Sequence, residues 1–361
     1  MVKVAKFGGS SCASSEQFKK VKDIVLSDRD RKYIIVSAPG KRNSKDTKVT
    51  DLFLSLYEAV QEKKDGAEGK KSADGKVEKL LEKIQKRYQE ILDGLSLSLS
   101  LETEFQEIVK RLLSGASRDY AASRGEFLNA KVMAEYLGFP FIDAEKLIFF
   151  SEEGCDFKKT EEVSKELLSA VEYAVIPGFY GVNEKGEVIT FSRGGSDVTG
   201  SLIAAAVYAD LYENWTDVSG FLVADPHIVS NPEVIDYITY KELRELSYMG
   251  AGVLHEDAIF PVRKEGIPIQ ILNTNSPQDH GTMIVANTLK KPRFIITGIA
   301  GKKHFCSINI EKAMMNSEIG FIRKVLSVVE ENGISVEHTP SGIDTLTLFI
   351  HQEELESHEQ K

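Results

Sequence analysis

An α/β fold built on a parallel sheet is the class this sequence predicts, and three observations predict it. The first forty residues run strand, glycine turn, helix, strand. A unit of that length requires a right-handed crossover and parallel pairing. Tyr33-Ile34-Ile35-Val36-Ser37-Ala38 is apolar almost throughout, as a strand covered on both faces must be. Helical and strand-like segments then keep alternating along most of the chain.

The elements follow in order. Val2 to Phe7 is short and β-branched, and Gly8-Gly9-Ser10-Ser11 breaks it. Ser14 or Ser15 then caps a helix to about Ser27, with Glu16 in its first turn. Residues 60–117 read as a helical excursion from the sheet, in a packing or lid role. Within it, Lys63 to Gly75 is charged and glycine-containing, as an exposed loop is. Val77, Leu80, Leu81, Ile84, Tyr88 and Leu92 form one helical stripe, and Phe105, Ile108, Val109 and Leu112 another. Between them Leu95 to Leu101 alternates Leu and Ser with strand periodicity, which its helical flanks contradict. A helix is expected over 117–137. Strands are expected at 139–142, 173–176, 188–191, 213–215, 268–272 and 282–285. Lys290-Lys291-Pro292-Arg293 reads as a linker. Beyond it come a strand (305–310), a helix (320–332) and two strands (334–338 and 345–350). That β-α-β-β order is the first part of a ferredoxin-like module, so the chain reads as cut short.

Composition narrows the function. The chain has 361 residues, 42% hydrophobic and 28% charged, which suits a globular protein of two or three domains. Its longest apolar run, Leu202 to Ala209, is far shorter than the ~18 residues of a membrane span. The N-terminus lacks an apolar leader. With three scattered cysteines, these features lead us to expect a cytoplasmic protein without structural disulfides or a membrane partner. A net charge of -10 argues against nucleic acid and leaves a small phosphate ligand open.

Two stretches carry candidate chemistry. In Lys6-Phe7-Gly8-Gly9-Ser10-Ser11 the glycines let backbone amides approach a phosphate, and Lys6 stands at the end of the strand. Ser192-Arg193-Gly194-Gly195-Ser196-Asp197 repeats the arrangement before an alanine-rich helix, with Ser196 or Asp197 as its cap. A cation such as Arg193 opposes a helix N-terminus unless an anion lies between them. Two such corners suggest two anionic ligands meeting at a sheet edge. Ser123-Arg124-Gly125-Glu126, read alone, is a solvated helix charge; Thr216-Asp217 suits a ribose or a capped turn; Ser37 and Thr50 offer hydroxyls. No histidine or cysteine spacing makes a metal site. With no nucleophile elbow in the chain, phosphoryl transfer remains.

Six elements in this order resemble the aspartate kinase family, of the amino-acid kinase fold. They are Lys6-Phe7-Gly8-Gly9-Ser10-Ser11, Val49-Thr50-Asp51-Leu52, Arg124-Gly125-Glu126, Arg193-Gly194-Gly195-Ser196-Asp197, Trp215-Thr216-Asp217-Val218-Ser219-Gly220 and Val253-Leu254-His255. The resemblance implies a three-layer sandwich with a mainly parallel sheet, forming a catalytic domain over 1–290 and a partial ACT regulatory domain over 291–361. It implies transfer of the ATP γ-phosphoryl group to the β-carboxylate of L-aspartate, with Mg²⁺, the entry step to lysine, threonine and methionine. Lys6, Arg193 and Asp197 are then catalytic. Lys6, Gly8, Gly9, Ser10, Thr216, Asp217, Leu222, Asp225 and His227 bind ATP. Ser37, Thr50, Glu126, Arg193, Ser196 and Asp197 bind aspartate. The 60–117 excursion resembles the lysine-sensitive branch, so lysine is the expected effector. Ser317, Gly320, Phe321, Ile322, Val336 and Glu337 would bind it in a homodimer. The nucleotide end departs from the family's pattern. Gly250-Ala251-Gly252 stands where many relatives have Gly-Ala-Lys, His227 where an arginine is common, and Leu222 where a tyrosine is frequent. A kinase for another amino acid and a non-catalytic amino-acid sensor of the same fold are the alternatives.

Overall fold

In the computed structural model the N-terminal strand forms as β1 (Lys3–Phe7) and lies inside a seven-stranded sheet. The structure describes residues 1–64, 70–192, 194–248, 254, 258–287 and 295–356, with only the backbone of 70–74. Val4, Ala5 and Phe7 are fully buried between β2 (Arg31–Val36) and β8 (Leu211–Thr216), both parallel to β1. Beyond β2 lies β5 (Ala174–Pro177); beyond β8 come β10 (Ile269–Asn273), β11 (Thr282–Val285) and β9 (Tyr237–Thr239). Only the β10–β11 pairing is antiparallel.

Helices complete a three-layer α/β arrangement. Helix α7 (Gly195–Ala206) lies against β1, β2 and β8, with α6 (Phe157–Ser169) and α9 (Phe260–Lys264) beside it. Helix α5 (Arg118–Leu137) lies against β2 and β5, flanked by α1 (Ser15–Leu26) and α2 (Val49–Lys64). The Ser117 side chain caps α5 by accepting from the Tyr120 amide, and left-handed Gly138 ends it. A second sheet, ordered β4-β3-β6-β7, joins β3 (Phe149–Ser151), β4 (Gly154–Cys155), β6 (Tyr180–Asn183) and β7 (Val188–Thr190). The 188–191 strand therefore belongs to this small sheet and leads directly into the second glycine corner.

The excursion after α2 is helical and packed. Ile84, Tyr88 and Leu92 of α3 (Lys70–Leu95) and Phe105, Ile108 and Leu112 of α4 (Glu102–Leu113) are buried in the same core as the sheet. Lys70 to Gly75, expected as loop, already belongs to α3; residues 65–69 lie outside the described residues. Leu95 to Leu101 is neither strand nor helix after Leu95. It is a loop with left-handed Ser96, whose leucines pack into the core in turn.

Two expected strands reduce to single bridges. Over 139–142 only Phe141 bridges Val175, because Pro140 has no N–H to extend a ladder and offers its carbonyl to Val175 alone. Over 334–338 only His338 bridges Phe349.

Chain contacts separate Met1–Ile299 from Ala300–Lys361. In the latter, β12 (Phe305–Glu311) pairs antiparallel with β13 (Thr345–His351), followed by α11 (Gln352–Glu356). Leu346, Leu348 and Ile350 alternate inward on β13, and Phe321, Val325 and Val329 of α10 (Phe321–Glu331) pack against them. Lys290 to Arg293, the expected linker, lies outside the described residues. Among the described residues no helix is long and apolar enough to cross a membrane.

Candidate active site

Lys6 sits on a central strand with only 7% of its surface exposed, a position a lysine tolerates only when paired. Its partner is Asp197 in the first turn of α7, with Nζ 2.5 Å from Oδ1. Asn214 completes the set. It faces Lys6 in the β1–β8 register, accepts from the ammonium at 3.4 Å, and donates Nδ2 to the same Asp197 oxygen at 2.8 Å. Two elements thus aim the Lys6 ammonium at the C-terminal end of β1. Sequence reasoning missed Asn214; its signal is an amide side chain inside the strand Tyr212-Glu213-Asn214-Trp215.

The first glycine corner follows immediately. The Gly8 amide donates to the Trp215 carbonyl, so the amides left for a ligand are those of Gly9 and Ser10. Gly9 is pressed on the next loop: a Cβ there would lie 3.1 Å from the Ala38 carbonyl oxygen. The corner leads into a short 3-10 turn, Ser10–Cys12, before α1 begins at Ser15, where the sequence predicts its start. Ser14 caps α1 by backbone position, without a side-chain hydrogen bond.

The second corner does open an α-helix. Gly194, at φ 56°, is the N-cap of α7, which corrects the expectation that Ser196 or Asp197 would cap it. The glycine supplies the left-handed turn, and the Asp197 amide donates to its carbonyl. Ser196 is buried against Gly178, just past β5, where a Cβ would come within 2.6 Å of it. Arg193 lies outside the described residues.

Glu126 adds a buried carboxyl. Far from being a solvated helix charge, it is 6% exposed, and its Oε2 has no hydrogen-bond partner. Burial pushes its carboxyl up to about 8, against the pull of the Ala38 amide, its own amide and Arg124. Gly125 permits this approach, since a Cβ there would be 2.8 Å from that of Ala38. Neighbouring Arg124 is structural: it is buried over the rings of Tyr120, Phe127 and Tyr180 and paired with Glu145 at 3.3 Å. Burial raises the Cys12 thiol to about 12, against the pull of the Asn129 side chain and the Lys6 ammonium. Ser37, half-buried at the end of β2, donates its amide to the Phe7 carbonyl and accepts from Asn129 Nδ2 at 2.6 Å. Thr50 is half-buried in the first turn of α2.

The residues predicted for the nucleotide lie farther along. Thr216 and Asp217 end β8 and share a hydrogen bond of 3.2 Å. Leu222 bridges Val234, and Asp225 accepts from the His227 amide at 2.8 Å, local contacts of an exposed loop. Gly250 to Val253 and His255 lie outside the described residues. In the C-terminal unit, Ser317 closes a 3-10 turn, and left-handed Gly320 caps α10 ahead of Phe321 and Ile322 without a side-chain hydrogen bond. Glu337 donates its amide to Phe349, and Val336 packs against the unit's core.

A lysine and an amide-rich corner thus stand at the carboxyl ends of parallel strands, facing an acidic helix turn. Comparisons with known proteins give the family of the chain. The model of the amino acid kinase family matches residues 1–273. Aspartokinase 3 of Bacillus subtilis is 40% identical over 371 residues, covering 99% of this chain and 79% of that protein. The crystal structure of Clostridium acetobutylicum aspartate kinase, described as an allosteric enzyme, is 54% identical with a TM-score of 0.86, over 99% of this chain and 79% of that one. Escherichia coli aspartokinase III, in complex with aspartate and ADP, is 25% identical with a TM-score of 0.74, over 97% and 79%. The chain belongs to the amino acid kinase family and, within it, to the aspartokinases, which are phosphotransferases.

Proposed function

We propose that this chain transfers the γ-phosphoryl group of ATP to the β-carboxylate of L-aspartate, giving 4-phospho-L-aspartate and ADP. The observation that carries the reading is the buried Lys6 ammonium, held by Asp197 and Asn214 beside a glycine corner. An aspartate side chain, pKa ~3.9, is already ionised at neutral pH, so attack on phosphorus needs no general base. The obstacle is charge: two unit charges 4 Å apart repel by about 4 kcal/mol at an effective dielectric of 20. Lys6, the Gly9 and Ser10 amides and the N-terminus of α7 offset that repulsion as the groups approach. Asp197 holds the ammonium in place, so catalysis is positioning plus electrostatics.

In this reading Gly8, Gly9 and Ser10 bed the phosphates. Ser37, Thr50, Glu126, Ser196 and Arg193 hold aspartate, with Arg193 on its α-carboxylate. The free Oε2 of Glu126 suits the substrate ammonium. Thr216, Asp217, Leu222, Asp225 and His227 serve the adenosine end. Among the described residues no three His, Cys, Asp or Glu side chains converge on one point. That fits Mg²⁺ entering on the triphosphate, which usually supplies much of its coordination and whose charge it reduces. Residues 291–361 act as a regulatory domain for lysine in a homodimer. Ser317, Gly320, Phe321, Ile322, Val336 and Glu337 take the effector, where the uncapped start of α10 offers amides to a carboxylate.

A coupled ADP-release assay with L-aspartate, L-glutamate and no acceptor tests the reaction, with hydroxylamine trapping the acyl phosphate and L-lysine added in parallel. Aspartate-dependent ADP release with equimolar hydroxamate is expected, falling with lysine. Equal turnover with glutamate, or ADP without hydroxamate, overturns the acceptor; turnover indifferent to lysine overturns the effector.

A further inference from the structure

Helix α3 reaches back to the glycine corner through one side chain. Arg87 is 5% exposed, between the buried Ile84, Tyr88 and Ile91 of its own helix. Its guanidinium spans three acceptors: Nη1 donates to Asp46 at 2.6 Å, and Nη2 to the carbonyls of Ala13 at 2.9 Å and Gly40 at 2.7 Å. Ala13 ends the 3-10 turn that contains Ser10. Gly40 donates its amide to the Gly9 carbonyl at 2.8 Å, and a Cβ on it would meet the Gly9 carbonyl carbon at 2.6 Å. Arg87 therefore grips both ends of the segment from Gly9 to Ala13, one directly and one through Gly40. At Gly94 the same helix crosses α1 so closely that a Cβ would lie 2.3 Å from Ser15 Oγ.

We infer that Arg87 is a positioning residue for the phosphoryl transfer: it clasps the Ala13 and Gly40 carbonyls and so fixes the Gly9–Ser10 amides against which ATP is held. The inference rests on the proposed phosphate role of that corner. It gives the helical excursion a task beyond packing, because the clasp is a planar fork whose rigidity a flexible amine lacks. Asp46, also held by Arg42, orients the fork from the side away from the carbonyls.

The test uses the full chain with Arg87→Lys, Arg87→Met, Asp46→Asn and Gly8→Ala. Thermal midpoints, kcat and both KM values are measured, with calorimetry of a non-hydrolysable ATP analogue. Arg87→Lys keeps a cation beside Asp46 and a midpoint within a few degrees of the parent. Its KM for MgATP rises about tenfold or more, the scale of one lost charge-assisted hydrogen bond, while the aspartate KM stays within about twofold. Asp46→Asn leaves both carbonyl contacts in place and moves the MgATP KM by no more than about twofold. A residue that only supports the fold would lower the active fraction and leave both KM values alone. Should Arg87→Met not fold, Arg87→Lys against Asp46→Asn decides. Unchanged analogue affinity in folded Arg87→Lys, or an equal loss in Asp46→Asn, overturns the clasp. Gly8→Ala examines the corner itself: lost ATP affinity there but not in Arg87→Lys sinks the clasp alone, whereas unchanged affinity in Gly8→Ala sinks the phosphate role and the clasp with it.

Discussion

The two glycine corners share a sequence signature and differ in construction. After β1, Gly8 and Gly9 turn into a three-residue 3-10 turn, and the corner is shaped by close neighbours, the Trp215 carbonyl and the Ala38–Gly40 loop. Before α7, Gly194 takes a left-handed conformation and starts a twelve-residue helix, whose first turn delivers Asp197 to Lys6. One corner leaves room and free amides; the other supplies a helix dipole and an anchor for the cation. A glycine pair beside a cation thus reads alike in the sequence without saying which of these parts it provides.

Substitutions separate the two. The largest expected effect is Lys6→Met, which lowers kcat about 10³-fold by removing a charge-stabilising donor, with the aspartate KM within about threefold. Steady-state kinetics checks this; an intact kcat would refute the role. Next is Gly8→Ala. Its Cβ would rest at 3.6 Å from Lys6 Nζ and the Trp215 carbonyl, ordinary contacts, so the fold tolerates it. A KM for MgATP raised about 10- to 100-fold at an unchanged thermal midpoint is expected, as misplacement at a reacting group produces. Gly195→Ala should show the converse. Its Cβ would lie 2.9 Å from Phe179 Cα and 3.0 Å from Phe191 Cβ, so a loss of about 1–3 kcal/mol by denaturant unfolding is expected.

Glu126 gives a pH test of the aspartate side. Its folded-state pKa, about 8, lies above an unfolded value near 4.5, so the folded state binds the extra proton. Its contribution favours folding below the unfolded value and is lost as pH rises through the folded one. Glu126→Gln should therefore gain thermal stability relative to the parent as pH goes from 5 to 9. In the parent, aspartate binding near pH 7 should release up to one proton, read by calorimetry in buffers of different ionisation heat, and the variant should release none. The smallest effect is Asn214→Ala, which removes one bridge of the Lys6–Asp197 set and should lower kcat about 3- to 10-fold.

Much of this was legible in the sequence, for reasons that also mark where reading stops. β1, α1 and β2 follow from period and punctuation, and Lys6 shows itself because a lysine closing an apolar strand needs a reason. Asn214 and Arg87 depend on register and helix crossing, which no local pattern encodes. Arg87 stands among lysines and glutamates and reads as solvated, yet is buried. Glu126 read alone is a solvated helix charge and gains its role only through the resemblance, since its burial is created by Ala38 pressing on Gly125. The apolar stretch 139–142 forms only a bridge because Pro140 lacks the amide a ladder needs.

The placement of β1 has a consequence for biosynthesis. The strand is made long before Asn214, which stands 208 residues downstream on the neighbour that closes one of its sides. At about 5–20 residues per second the ribosome needs roughly 10–40 s to supply it. Throughout that interval the nascent chain carries an apolar edge open to wrong pairing and a cation without its acceptors. The Lys6–Asp197–Asn214 set therefore cannot assemble before β8 is made, and chain release before that point yields a polypeptide with a sheet it cannot close.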